Sequence, residues 1–241
     1  MFVLLCFLNL LRGRFLLASL MAGAASGCRL VGIALVFPIL YALWQNRVDA
    51  RHFFYRSVWT VPISIWGILC FVVYQWIEFG NPFAFIETQG NWSSLQFDTV
   101  QDKLVHAITL GPVRDVFDDA TACYWGNVAP HENPLFNMRV MNVLYFIACV
   151  WAICEGIRRK WLTREEILFA FCVLGIAYVS QAGRACMMAQ GRYCSVVFPQ
   201  YLVVAGCLAK CHDSVRLAVV AGMAVLLFVN ASMFSAWYWY F

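Results

Sequence analysis

The sequence has few charged residues. Only 12% of its 241 residues are Asp, Glu, Lys or Arg, whereas 63% are hydrophobic and the mean hydropathy is +0.71. Soluble globular domains carry about 25% charged residues, because a folded surface needs polar side chains to cover it. The composition therefore argues against a soluble protein and predicts an integral membrane protein whose solvent is the bilayer.

Basic runs and metal-binding spacings are also lacking. The net charge is only +4 and the arginines come in short clusters between apolar stretches, so nucleic acid is not an expected partner. Most of the 11 cysteines lie inside apolar stretches, and Cys123 is the one in a plainly polar segment. With no CxxC or Cys/His pattern, the sequence predicts neither a disulfide framework nor a zinc site.

Apolar runs divide the chain into about eight segments. They are 1–11, 15–28, 30–45, 57–77, 138–156, 165–182, 193–209 and 217–237. A span needs about 20 apolar residues, which Ser57–Ile77 and Leu217–Trp237 supply alone. The predicted fold is all-α, a polytopic transmembrane bundle forming a single membrane domain over 1–241 with one long non-cytoplasmic loop, 78–137.

The stretch from Phe15 to Trp44 is too long for one comfortable helix. It is interrupted at Gly27-Cys28-Arg29 and has basic residues on both flanks. Two short helices that meet at Arg29 place both flanks on the same side of the membrane. The sequence therefore predicts a hairpin broken at Arg29.

The basic clusters define the predicted orientation. Alternating spans place 46–56, 157–164 and 210–216 on one face, which the positive-inside tendency makes cytoplasmic. The loop 78–137 and the connection 183–192 then lie on the opposite face. We expect a multi-pass protein of the bacterial inner membrane, or of the endoplasmic reticulum if the source is eukaryotic.

Carboxylates are frequent in the long loop. Asp115, Asp118 and Asp119 are followed by His131 and Glu132, and such a set can bind a divalent cation. The residues have no recognisable ligand spacing, and acidic loops are usually solvated. No metal site or cofactor is firmly implied, and a divalent cation stays an alternative.

Three arginines fall at the expected non-cytoplasmic boundary. Arg29 lies at the hairpin break, while Arg184 and Arg192 flank a short connection before Tyr193. A guanidinium binds phosphate through a bidentate fork, so the sequence favours a lipid-phosphate site made by Arg29 and Arg192. Snorkelling at a helix end, or pairing with the acidic loop, is the alternative.

Amide and aromatic side chains follow the span that ends near Ile77. Gly80 and Pro82 break the helix, and Gln89 and Trp92 come next. Amides bond sugar hydroxyls and indole faces stack on sugar rings. A loop that re-enters the membrane interface explains the same residues without a sugar.

Three stretches together resemble one family. They are Ser26-Gly27-Cys28-Arg29-Leu30-Val31-Gly32, then Phe79-Gly80-Asn81-Pro82-Phe83-Ala84-Phe85, then Gly191-Arg192-Tyr193 leading to Phe198-Pro199. Their order, from about Leu10 to Tyr201, is similar to the second mannosyltransferase of GPI-anchor assembly and its bacterial relatives. That family belongs to the GT-C class of polytopic glycosyltransferases.

The resemblance implies transfer of mannose or a similar sugar from a polyprenol-phosphate donor, with inversion, on the lumenal or periplasmic side. It assigns substrate binding to Arg29, Gln89, Trp92, Arg192 and Tyr193. Family members place an acidic base in a first outer loop, which would precede Met1 here. The chain is therefore expected to be the C-terminal portion of a longer protein, with its catalytic residue unknown and its activity alone in question.

Two rival functions stay open. A transporter or lipid flippase predicts broken helices at the middle of several spans. A non-catalytic membrane subunit requires no site. The bilayer and a polyprenol-phosphate sugar are the expected partners, and the sequence does not fix an oligomeric state.

Overall fold

The computed structural model describes residues 1–90, 99–127, 137–182, 187 and 190–235, with the backbone alone at 89–90, 181–182 and 233–234. Within these ranges every regular element is helical, an architecture compatible with a bilayer, where backbone amides must be paired internally. The α-helices are α1 Phe2–Leu11, α2 Phe15–Cys28, α3 Val36–Gln45, α4 Ala50–Ser64, α5 Trp66–Phe79, α6 Ala84–Gly90, α7 Val100–Ile108, α8 Gly111–Arg114, α9 Met138–Arg158, α10 Arg164–Ala177, α11 Gln190–Cys194, α12 Phe198–Leu208 and α13 Asp213–Ser235.

Among the described residues, two helices are long and apolar enough to cross a membrane alone. They are Met138–Arg158 and Asp213–Ser232, and α4 with α5 makes a third if the bent pair counts as one span. Shorter apolar helices occupy Phe2–Leu11, Phe15–Cys28, Leu30–Gln45 and Phe198–Leu208. The all-helical prediction is confirmed, while the bundle of about eight membrane segments stays a prediction. α6, α7 and α8 lie within 78–137, the stretch predicted to be one long loop.

The predicted span Ser57–Ile77 is not a continuous helix. α4 ends at Ser64 and α5 begins at Trp66, with a bend of 52° between them. Pro62 lies inside α4 and removes the backbone donor that would bond the carbonyl one turn earlier. The proline therefore accounts for a bend that the hydropathy profile does not show.

Contacts divide the chain into two compact units. Unit 1 comprises Met1–Trp92 and Thr163–Ile176, and unit 2 comprises Ser93–Leu162 and Ala177–Phe241. Each unit is described by itself below.

The predicted break at Arg29 is present in unit 1. α2 ends at Cys28, Arg29 has an extended backbone (φ −151°, ψ 133°), and a 3-10 turn at Leu30–Leu35 leads into α3. The turn folds back so closely that a side chain on Gly32 would meet the backbone of Ala25 at 2.6 Å. The interruption read from the sequence is therefore a tight reversal of the chain.

Glycines set the packing of α2 in unit 1. Gly67 of α5 faces Gly23 and Gly27 of α2, and a Cβ on Gly67 would meet the Cα of Gly27 at 2.6 Å. The indole of Trp66 donates to the Leu20 carbonyl oxygen at 3.2 Å. Gly23 and Gly27 are four residues apart, the spacing that lets helix backbones approach closely in membranes.

Basic residues gather at one end of unit 2. Arg158 and Arg159 both bond the carboxylate of Glu155, and Arg159 also lies over the ring of Trp161, 4.9 Å from its centroid. Lys210, after α12, lies 4.7 Å from the same ring centroid. The ends of α9 and α12 therefore share one basic, aromatic boundary, which is typical of a membrane interface.

Candidate functional site in unit 2

The segment 99–127 is folded rather than an open loop. Thr99 caps α7 by accepting from the Asp102 amide at 3.1 Å, so the helix begins at Val100. Leu110 then adopts a left-handed backbone (φ 55°), and α8 begins at Gly111. This reversal brings the residues after α8 back against the last turn of α7.

The reversal creates a hydrogen bond between two side chains nine residues apart. His106 Nε2 lies 2.7 Å from Asp115 Oδ2, and their side chains are 17% and 10% exposed. The imidazole rests on Gly111, where any Cβ would collide with the ring. Because Asp115 is buried and oriented, it fixes the direction of the His106 ring, the arrangement in which a carboxylate orients a general base.

Side-chain hydrogen bonds to backbone carbonyls, together with apolar contacts, hold the pair in place. Thr121 Oγ1 donates to the Asp115 carbonyl at 2.6 Å, and Tyr178 donates to the Ala107 carbonyl at 3.1 Å. The Tyr178 ring stacks on Phe146 of α9 at 5.2 Å. A cluster of Val116, Val143 and Met187 lies beneath.

Residues at the start of α9 fasten the end of the segment. Arg139 Nη1 donates to the carbonyls of Ala122 and Tyr124 at 3.0 and 2.7 Å. Asn137 donates to the Trp125 carbonyl at 2.7 Å while its side-chain oxygen caps α9 at Val140. The 99–127 segment is thus anchored to the first turn of α9.

The helix that carries Arg192 packs on the same part of α9. The Gly191 amide donates to Asn142 Oδ1 at 2.6 Å, and the absence of a side chain on Gly191 lets it lie against Tyr145. Gln190 is fully buried, and among the described residues neither its amide nitrogen nor its amide oxygen has a hydrogen-bond partner. An unpaired buried amide costs about 1–3 kcal/mol, so α11 is held in place at an energetic cost.

A disulfide corrects the prediction made from the cysteines. Cys123 is disulfide-bonded, and its partner lies outside the described residues. Nine other cysteines, among them Cys6, Cys70 and Cys149, are free. The bond joins the 99–127 segment covalently to another part of the chain, a feature typical of proteins in oxidising compartments.

The structure places the predicted substrate-binding residues in both units. Arg29 is exposed in unit 1, and Gln89 lies in α6 with only its backbone described. Arg192 is exposed and Tyr193 half-buried on α11 in unit 2. Trp92 and Arg184 lie outside the described residues. The expectation that Arg29 and Arg192 line one cavity stays a prediction.

The turn after α5 contains the helix break that the sequence predicts at Gly80 and Pro82. Gly80 ends α5 in a left-handed conformation (φ 66°), and Asn81 Oδ1 accepts from the Phe83 amide at 2.9 Å. Phe85 of α6 then contacts Phe71 edge to face at 5.5 Å. α6 therefore folds back along α5, as the Gly and Pro of this stretch predict.

The acidic set considered for a cation is used otherwise in the described ranges. Asp115 pairs with His106, while Asp118 accepts from the Ala120 amide at 3.1 Å. His131 and Glu132 lie outside the described residues. Within those residues no group of three or more His, Cys, Asp or Glu side chains is arranged to hold a metal ion.

Sequence reasoning missed His106, Asn142 and Gln190. The signal for His106 was present in the Gly111-Pro112 pair, which begins α8 directly after the reversal at Leu110 and shortly before Asp115. Asn142 and Gln190 are single polar residues beside or within apolar runs, a weak signal for membrane-buried function.

No protein-family model, curated protein or solved structure matches this chain.

Proposed function

We propose that this protein is an integral membrane glycosyltransferase that transfers mannose or a similar sugar from a polyprenol phosphate to a hydroxyl acceptor. The observation that carries the proposal is the His106–Asp115 pair, built into a folded segment on α9. The resemblance implies an acidic base in an outer loop. In this proposal the pair supplies that base within the chain.

The proposed reaction needs one proton acceptor and one leaving-group site. The acceptor oxygen attacks the anomeric carbon of the sugar, the bond from that carbon to the phosphate oxygen breaks, and the polyprenol phosphate leaves. His106 donates Nε2–H to Asp115 and takes up the acceptor proton at Nδ1, and Asp115 stabilises the resulting imidazolium. Arg192 binds the departing phosphate through its guanidinium fork.

Two features support the orientation that this reaction requires. The eight segments predicted from the sequence would put 78–137 and 183–192 on the non-cytoplasmic face. A disulfide at Cys123 fits an oxidising compartment.

His106 and Arg192 both belong to unit 2, where α7 and α11 pack against the same short π-helical turn, Tyr178–Ala182.

The test measures sugar transfer from a labelled polyprenol-phosphate mannose in membranes that contain the 241-residue chain. General-base catalysis contributes about 10²–10⁴-fold, so His106→Gln should lower kcat by about 100-fold and leave the KM for the donor unchanged. Asp115→Asn should act in the same direction.

His212→Gln provides the control, because His212 is exposed and its imidazole accepts only from the Ser214 amide among the described contacts. It should retain full activity. Transfer at the wild-type rate in His106→Gln would contradict the proposed base. A rise in KM with constant kcat would reduce the pair to a positioning role.

A second candidate, a transporter or flippase, is favoured by the helix breaks. The pair α4–α5 bends by 52°, and the helix of α10 continues as a π-helical turn at 178–182. Transporters build midplane sites from such discontinuous helices. Movement of the labelled donor across vesicles without a new glycosidic bond would favour this function over transfer.

A further inference from the structure

Unit 1 contains a groove of about 380 Å³ between the start of α2, the end of α3 and the middle of α4. Leu43 forms its floor and is 3% exposed, while Leu16 and Trp59 form walls and are each 62% exposed. The groove is therefore apolar inside and open along one side. Its shape and lining fit a hydrocarbon chain that enters from the surrounding lipid.

The mouth of the groove is cationic. Arg56 lines it directly, and Gly13, which also lines it, is flanked in the sequence by Arg12 and Arg14. All three arginines are exposed. The groove therefore has a guanidinium group in its lining, the side chain best suited to bind a phosphate bidentately.

Opposing negative charge is scarce in this part of the chain. From Met1 to Ile77 the sequence has six arginines and one acidic residue, Asp49. The Asp49 carboxylate caps α4 by accepting from the His52 amide at 2.6 Å. The one carboxylate of this stretch is thus already engaged in a helix cap.

We propose that this groove binds one anionic glycerophospholipid, with an acyl chain along Leu16, Leu43 and Ile63 and its phosphate at Arg56. Basic pockets between membrane helices recognise anionic head groups in this way. Trp59 and Tyr55, which also line the groove, are residue types enriched at head-group depth. A zwitterionic lipid offers the same chain but adds an ammonium group that the arginines repel.

The site is separate from the His106–Asp115 pair and does not depend on the proposed function. Its test uses the purified full chain in detergent and native mass spectrometry. Phosphatidylglycerol and phosphatidylcholine with identical acyl chains are titrated in turn. We expect one retained phosphatidylglycerol per chain, bound at least tenfold more tightly than phosphatidylcholine.

Two substitutions separate the head-group and acyl-chain contributions. Arg56→Gln should weaken phosphatidylglycerol binding about tenfold and leave phosphatidylcholine unchanged. Leu16→Trp fills the groove without changing its charge and should weaken both lipids. Arg51→Gln is the matched control, because it removes an exposed arginine of the same helix that does not line the groove.

Three results would overturn the proposal. Equal affinities for the two lipids would remove the role of the arginines. Equal losses in Arg56→Gln and Arg51→Gln would show general charge attraction instead of a site. Full displacement of the lipid by inorganic phosphate at the same concentration would show that the head group alone is bound and the groove is not used.

Discussion

Different kinds of interaction stabilise the inside of each unit. In unit 1 the helices pack through glycine, as at Gly67 against Gly23 and Gly27. In unit 2 directional polar bonds join distant parts of the sequence, such as Tyr178 to Ala107 and Gly191 to Asn142. Close backbone packing is sensitive to volume, and hydrogen bonding is sensitive to chemistry. Unit 1 thus has the character of a scaffold, whereas unit 2 carries the candidate reactive groups.

The largest expected effect tests the packing of unit 1. Gly67→Leu places a side chain against the backbone of α2, which cannot move aside as a flexible side chain does. We expect the free energy of unfolding to fall by about 3 kcal/mol or more. Unfolding by SDS titration in mixed micelles measures this change.

Gly175→Leu is the matched control for Gly67→Leu. Gly175 lies on α10 in unit 1, and a Cβ there has no atom within 4 Å. It should therefore leave the stability within about 0.5 kcal/mol of the wild type. If both variants lose the same stability, glycine packing does not distinguish unit 1.

The next effect tests the covalent restraint in unit 2. Cys123→Ser removes a disulfide and should lower the free energy of unfolding by about 2–3 kcal/mol. Hydrogen exchange should accelerate in the 99–127 segment and leave α2 and α5 unchanged. Alkylation followed by mass spectrometry should find nine free thiols in the unreduced wild-type protein.

Cys211→Ser serves as the comparison, because Cys211 is free and exposed. It should lose one thiol and no measurable stability. Eleven alkylated thiols in wild-type protein prepared without reductant would refute the disulfide and, with it, one support for the non-cytoplasmic orientation.

The apolar runs of the sequence predicted most of the long helices, whereas α6, α7 and α8 lie in the stretch predicted to be a loop. A segment in lipid must bond its backbone amides within its own helix, so a long apolar run is a strong indication of a helix. Arg29 was recognisable for a related reason, since a charged residue beside glycine is a poor choice for the middle of a span. Pro62 was equally visible, yet its effect on Ser57–Ile77 was missed because a hydropathy average over many residues hides a single proline.

The candidate site was less predictable because it depends on tertiary contacts. His106 and Asp115 lie on either side of a turn, and their pairing requires the left-handed backbone at Leu110. Likewise, Cys123 appeared to be an isolated cysteine in a polar segment, and only the fold shows that it is bonded. Patterns of single residues do not encode such pairings, since the partners come from different elements.

The smallest expected effect is an increase in the free energy of unfolding. It tests why unit 2 keeps a buried polar side chain that has no described hydrogen-bond partner. Gln190 is fully buried with both amide atoms unpartnered, so it destabilises the fold as it stands. Gln190→Met keeps the length of the side chain and removes those two atoms. We expect the free energy of unfolding to rise by about 1 kcal/mol, since the desolvation penalty disappears.

Gln200→Met is the matched control in the same unit, because Gln200 Nε2 donates to the Cys194 carbonyl at 2.6 Å. Losing that bond should lower the free energy of unfolding by about 1 kcal/mol. Opposite signs for the two glutamines would show that unit 2 tolerates an unpaired amide next to Arg192. If Gln190→Met destabilises the protein as Gln200→Met does, Gln190 has a partner in solution and carries no stored cost. A stabilised Gln190→Met variant that also transfers less sugar would identify the residue as one retained for substrate, because functional sites keep polar groups at the expense of stability.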